Sequence, residues 1–221
     1  MGIERDNLLD AKLTEQKSNN QFMLFIAIIV FVLTVLIFIN NFVLITVRVS
    51  GSSMSPTLYG GGRTASSNDG DILLVNKMAT PTYGDIVVIE GVESYWLIKR
   101  VIAMEGDTIK IEDGKVYLQK SGETTPSILQ EDYTSGHATE HINDKWKEGY
   151  TLKENEVFYL GDNRSPNGSS DSRIKGVCKE SNIVGVVTDW SLDNKEGLKG
   201  IHNFFAPLNQ IVSKITGFFS K

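Results

Sequence analysis

Ser53 stands in Gly51-Ser52-Ser53-Met54-Ser55-Pro56-Thr57-Leu58, a short way past an apolar stretch at residues 22–42. A serine hydroxyl attacks well only when a neighbour takes its proton, so its chemistry depends on which base the chain supplies. The three histidines have poor settings: His137 and His141 lie in a polar stretch, and His202 follows Lys199-Gly200. Lys99 has a better one. In Trp96-Leu97-Ile98-Lys99-Arg100-Val101-Ile102, strand alternation puts Lys99 on one face with Leu97 and Val101, and Arg100 on the other with Ile98 and Ile102. A lysine between apolar neighbours is partly desolvated, which disfavours its ammonium form. To act as a base near neutral pH its pKa must fall from about 10.4 to about 7–8, or about 3–4 kcal/mol, which burial can supply. The same pattern also suits a lysine snorkelling off an edge strand, and alternation alone leaves both readings open.

The element that must hold Ser53 in place is the apolar run before it. Phe22 to Ile39 contains no charge and one polar residue, Thr34. At about 1.5 Å per residue it reaches about 27 Å, close to the hydrocarbon thickness of a bilayer. A buried core helix would carry a polar stripe, and a cleaved signal peptide would have a shorter apolar run and a small-x-small site. The expectation is an uncleaved anchor over residues 22–42, preceded by a cytoplasmic tail, 1–21. Arg5, Lys12 and Lys17 before the span and Arg48 and Arg63 after it favour that orientation by a small margin. Ser53 then lies no more than about 35 Å along the chain from the hydrocarbon.

Downstream the chain reads as β. Asp71–Val75, Asp85–Ile89, Trp96–Ile102, Thr108–Ile111, Val116–Leu118 and Val157–Leu160 are short, β-branched and bounded by Gly, Asp or Asn. The fold class expected is mainly β: an antiparallel folded-sheet or barrel core over residues 43–118 and 156–192, with one N-terminal transmembrane helix. Residues 119–155 turn polar and aperiodic, the pattern of a small inserted subdomain with the least order. Gly60-Gly61-Gly62-Arg63-Thr64-Ala65-Ser66-Ser67 reads as a flexible loop. Residues 193–221 are expected to hold a short amphipathic helix, with Leu208, Ile211, Val212, Ile215 and Phe219 at helical spacing, docked on the sheet or lying at the outer leaflet.

Composition narrows the partners. A net charge of −5 with no basic run gives no footprint for nucleic acid. The lone Cys178 has no internal disulfide partner and reads as a small buried residue. His137-Ala138-Thr139-Glu140-His141 matches H-x-x-E-H, but without a helical apolar face or a second ligand-bearing helix, so no metal or cofactor is expected. Ser172-Arg173-Ile174-Lys175 fits S-x-x-K without its companion motifs, and Asn167-Gly168-Ser169 is a sequon only in a glycosylating host.

Four segments occur in order behind the anchor: Gly51 to Leu58; Leu97-Ile98-Lys99-Arg100-Val101-Ile102 with Glu105-Gly106-Asp107; Gly161-Asp162-Asn163-Arg164; and Ser170-Asp171-Ser172-Arg173. Together they resemble the successive boxes of type I signal peptidases, and the single N-terminal anchor is similar to that of the Gram-positive members. The resemblance implies a Ser/Lys-dyad serine endopeptidase that removes signal peptides from exported preproteins at an Ala-x-Ala-like site. In it Ser53 takes the nucleophile's place and Lys99 the general base's, with Gly51, Ser52, Ser53 and Met54 forming the substrate and oxyanion segment. The oxyanion would be held by the Ser53 backbone N–H. Some relatives add a serine hydroxyl two positions earlier, where this chain has Gly51. The resemblance also assigns supporting roles. Ser169 falls where relatives place a serine near the lysine amine, although the turn before Asp171 is about two residues longer than usual. Asp171 with Arg173, and Asp162 with Arg164, are two apart and suited to pairing or bracing the loop, while Arg100 sits beside the base. The implied partners are preproteins and the lipid bilayer, with transient association with secretion machinery, and the implied place is the cell membrane with the catalytic domain outside.

Two other classes compete. A non-cutting accessory protein of the same fold would lose Ser53 or Lys99, and both are present. A self-cleaving repressor would need an internal Ala-Gly site and a DNA-binding region, and neither is found.

Overall fold

The apolar run forms a single helix, α1 (Gly2–Phe38), in the computed structural model, which describes residues 2–61, 70–91, 95–140, 142–198 and 200. Within it Asn19–Phe38 has a mean hydropathy of 2.9 and no buried share, so the helix is long and apolar enough to cross a membrane. Thr34, the one polar residue between Phe22 and Phe38, donates to the Val30 carbonyl at 2.8 Å. A single π turn, Ile39–Val43, ends the helix. Met1–Leu44 and Ile45–Lys221 form two separate compact units.

The second unit is built from two antiparallel sheets. Strands β1 (Leu44–Arg48), β2 (Ile72–Asn76), β3 (Ile86–Glu90), β4 (Trp96–Ala103), β9 (Glu156–Leu160), β10 (Cys178–Lys179) and β11 (Ile183–Val187) make the larger one, in the order β1-β2-β11-β3-β4-β9-β10. The smaller one runs β7-β6-β5-β8, from β5 (Thr108–Glu112), β6 (Lys115–Gln119), β7 (Ser127–Ile128) and β8 (Tyr150–Thr151). All six expected strands are present, at boundaries within a residue or so. Three short α-helices, α2 (Asp144–Glu148), α3 (Ser172–Lys175) and α4 (Asp189–Asp193), and a 3-10 turn at Glu180–Asn182 join the strands.

Some elements depart from expectation. β1 continues the apolar run of the anchor, so its own period was hidden, and β11 is interrupted by Gly185 at an irregularity in its pairing with β3. β5 and β6, expected in the core segment, pair into the second sheet. The polar stretch 119–155, expected to be the least ordered, holds β7, α2 and β8. It also buries Trp146 against Phe158, with ring centroids 4.7 Å apart. Its few apolar residues do the packing, so composition understated its structure. Gly60 and Gly61 are described, while residues 62–67 of that glycine-rich loop lie outside the described residues. The amphipathic pattern at 207–219 and His202 lie there as well.

Two apolar clusters bear on the site. Met54 and Leu58 are buried with Val47, Val49, Leu73, Val75, Ile86, Val88 and Val187. Burying a Met or Leu side chain contributes about 1.5–3 kcal/mol, so two such anchors within one turn fix the Ser53 segment to the sheet. On another face Leu97 and Val101 pack with Val87, Ile89, Val157 and Tyr159.

Candidate active site

β4 delivers Lys99 into a place where water hardly reaches: the residue is 3% exposed and lies opposite Val87 across the β3–β4 ladder. Its Nζ donates to Ser53 Oγ at 2.7 Å and to the Ile98 carbonyl at 2.8 Å. Burial pushes its pKa down from 10.5 to about 8, against the pull of the Asp171 and Asp162 carboxylates, and the nearby Lys175 cation lowers it further. Among the described residues no carboxylate forms an ion pair with Lys99. At a pKa of about 8 roughly a tenth of the molecules carry a neutral amine at pH 7. In those the bond to Ser53 reverses, the hydroxyl donating to the Nζ lone pair, which is the geometry for proton abstraction.

The Ser53 segment is a tight loop closed at its base. The Leu58 N–H donates to the Met54 carbonyl at 2.9 Å, and the Gly51 N–H to the Gly60 carbonyl at 3.1 Å. Gly51 has φ +81°, in the left-handed region, and a Cβ on Gly60 would sit 1.6 Å from the Gly51 oxygen, so neither accepts a side chain. Among the described residues the Ser53 N–H has no acceptor, leaving it available to an incoming oxygen. A cleft of about 330 Å³ opens beside Ser53 and Lys99, walled by Val47, Val49, Met54, Trp96, Leu97 and Ile98. Thr46, Arg48 and Ser50 add polar groups to its wall.

Gly161, Asp162 and Asn163 clamp this loop from the other side. The Asn163 backbone N–H donates to the Ser53 carbonyl at 3.1 Å, and its side-chain amide donates to the Ser52 carbonyl at 3.0 Å. Ser52 therefore contributes a carbonyl. A Cβ on Gly161 would meet the Ser53 oxygen at 2.4 Å and Ser169 Oγ at 2.3 Å, so only glycine allows this approach. The buried Asp162 carboxylate accepts from Thr57 Oγ1 at 2.5 Å and from Arg100 Nε and Nη2 at 2.9 and 2.6 Å.

Asp162 and Arg164 do not pair with each other. Arg164 turns away, donating from Nε to the Gly161 carbonyl at 2.8 Å, while its Nη atoms bind both oxygens of Glu131 and Nη1 also reaches Thr139 Oγ1. The Gly161 carbonyl and the Glu131 carboxylate take up the Arg164 guanidinium, while Asp162 is held by Arg100. Asp171 and Arg173 do pair, at 2.9 and 2.8 Å, and Asp171 also accepts from the Gly161 N–H at 3.0 Å. Ser169 is buried against Gly161, and its hydroxyl is without a hydrogen-bond partner among the described residues; it forms no hydrogen bond to Lys99. Asn163, Thr57, Glu131 and Tyr133 were not singled out from the sequence. No local spacing marks them, because each acts through a partner far away in the chain.

The remaining candidates fall away from this centre. His137 is exposed in a loop and Glu140 is not helical, while His141 lies outside the described residues; no metal-holding group of side chains occurs among the described residues. Cys178 is half-buried and its thiol is pushed up to about 11, so it stays protonated.

Residues 22–190 match the family described as Signal peptidase, peptidase S26. Over 158 residues the chain is 35% identical to Signal peptidase I V of Bacillus subtilis (strain 168), covering 68% of this chain and 88% of that protein. It is 26% identical over 161 residues to Signal peptidase IB of Staphylococcus aureus (strain Mu50), covering 70% and 81%. A solved signal peptidase I structure from Enterococcus faecalis shares 25% identity, covering 50% of this chain and 98% of that one, with a TM-score of 0.40. The matched family span contains Ser53, Lys99 and each arginine–carboxylate pair just described, and the chain belongs to the signal peptidase family, peptidase S26.

Proposed function

We propose that Ser53 and Lys99 carry out the reaction of this family, in which a serine endopeptidase removes signal peptides from preproteins. The observation that carries this reading is the 2.7 Å approach of a buried lysine, with no carboxylate in contact, to the hydroxyl of a serine on a clamped loop. Neutral Lys99 takes the Ser53 proton as Oγ bonds to the carbonyl carbon after a small residue. The developing oxyanion is met by the Ser53 N–H. Collapse breaks the C–N bond, and the Lys99 ammonium gives its proton to the departing amine. Water then attacks the ester while Lys99 accepts its proton, and release of the acid returns that proton to Ser53.

In this reading the N-terminus is cytoplasmic, α1 crosses the cell membrane once, and the catalytic unit works outside it beside the lipid, in passing contact with the secretion machinery. A signal peptide's cleavage site emerges just beyond its own apolar segment, so a nucleophile tethered near the bilayer meets it there. The test is cleavage of a preprotein by the purified chain in detergent. Ser53→Ala and Lys99→Ala are each expected to abolish it; undiminished cleavage by either variant removes the reading.

A further inference from the structure

Between the polar stretch and the catalytic loop run two chains of contacts that the dyad chemistry does not itself require. Arg164 has a side chain with 0% exposure, so its charge depends on its partners, and among the described residues the only carboxylate bound to it is Glu131, 33 residues earlier. Its Nε holds the Gly161 carbonyl, and the Gly161 backbone lies in direct contact with the Ser53 carbonyl. The second chain starts at Tyr133. Its ring lies flat under the Arg100 guanidinium, 3.9 Å from centroid to Cζ, and its hydroxyl donates to Glu131 at 2.9 Å. Arg100 grips Asp162, and Asp162 accepts from Thr57 on the Ser53 loop. Both chains thus begin on neighbouring residues of one turn and end on opposite ends of the segment that carries Ser53.

We propose that Glu131 and Tyr133 are positioning residues for the reaction, holding Arg164 and Arg100 so that Gly161 and Asp162 keep Ser53 aligned on Lys99. The inference rests on the Ser53–Lys99 reading above. Removing Glu131 leaves the Arg164 charge buried without a counter-ion, and the side chain must then shift toward water and release Gly161. Removing the Tyr133 ring uncovers Arg100 and loosens its grip on Asp162. A displacement of about 1 Å at a reacting atom costs up to about 100-fold in rate. Neither residue touches the cleft beside Ser53, so substrate affinity is not their target.

The experiment measures kcat and KM for preprotein cleavage by the full chain in detergent micelles, with thermal unfolding recorded for each variant. Tyr133→Ala is expected to lower kcat about 10–100-fold with KM within about 3-fold, and Tyr133→Phe, which keeps the ring over Arg100, to stay within about 3-fold of wild type. Glu131→Gln, which keeps volume and loses charge, is expected to lower kcat about 5–20-fold and decides the matter if Tyr133→Ala does not fold. Unchanged kcat in the folded variants, a rise confined to KM, or equal losses in Tyr133→Ala and Tyr133→Phe would each overturn the proposal. Activity surviving in a parallel Ser53→Ala sample would instead overturn the dyad reading beneath it.

Discussion

Lys99 and Arg100 are adjacent cations on one strand with opposite settings. Arg100 is almost buried and fully partnered: a carboxylate grips two of its nitrogens, the Gly84 carbonyl takes a third at 2.7 Å, and the Tyr133 ring covers its face. Burial pulls its pKa down, but these partners outweigh that pull and raise it, so it stays a permanent charge. Lys99 is buried more deeply and meets a hydroxyl and a carbonyl in place of a carboxylate, and its pKa falls to about 8. Burial alone therefore does not make a base. Burial with the counter-ion withheld does, and strand alternation lets the fold withhold it from one residue while giving it to the next.

The contrast breaks most completely if Lys99 is made like its neighbour. Lys99→Arg keeps the charge and cannot shed its proton near neutral pH, so kcat/KM is expected to fall about 10⁴-fold or more in steady-state cleavage. The same contrast implies a stability cost. The unfolded chain holds the lysine proton up to about 10.5 and the folded chain only to about 8, so the penalty is full below 8 and fades as pH rises through that window. Lys99→Met, which needs no solvation, is expected to stabilise the inactive protein by up to about 3 kcal/mol at pH 7, seen in denaturant unfolding, and to show no gain above about pH 11. Arg100→Lys tests the other half: one ammonium cannot reproduce the two-pronged grip on Asp162, and kcat should drop about 10–100-fold without moving the pH dependence.

The smallest expected effect lies at the far end of the loop. Lys195 donates to the Thr57 carbonyl at 2.9 Å and pairs with Asp71 at 3.2 Å, but it is partly exposed. Lys195→Ala should cost no more than about 5-fold in kcat and about 1 kcal/mol in stability. A larger loss would place more of the loop's support on this side than on the Asp162 side.

The parts of this site that could be read in the sequence follow a simple rule. Lys99 and Arg100 were separable because period-two alternation is a local property, and Ser53 stood out through its distance from an apolar run. Met54 and Leu58 are apolar at one-turn spacing. Asn163, Thr57, Glu131 and Tyr133 have no such pattern: polar residues in polar surroundings, they act through partners 111, 105, 33 and 33 residues away or more, or through a neighbour held by one of those. Their meaning appears only once β4 and β9 lie side by side and the polar stretch folds back over them. Of the two roles open to Asp162 and Arg164, pairing or bracing the loop, pairing does not occur, for the same reason. Spacing of two suggested it, and the sheet supplied each residue with a better partner from elsewhere in the chain.

The most direct measurement is the pH dependence of kcat/KM for preprotein cleavage by the wild-type chain, because only the neutral form of Lys99 can take the Ser53 proton. The rate should rise about tenfold per pH unit below an apparent pKa of about 8 and level off above it, with the same limb retained in His137→Ala. A rate that is flat from about pH 6 to 9, or a limb that disappears in His137→Ala, would contradict Lys99 as the base.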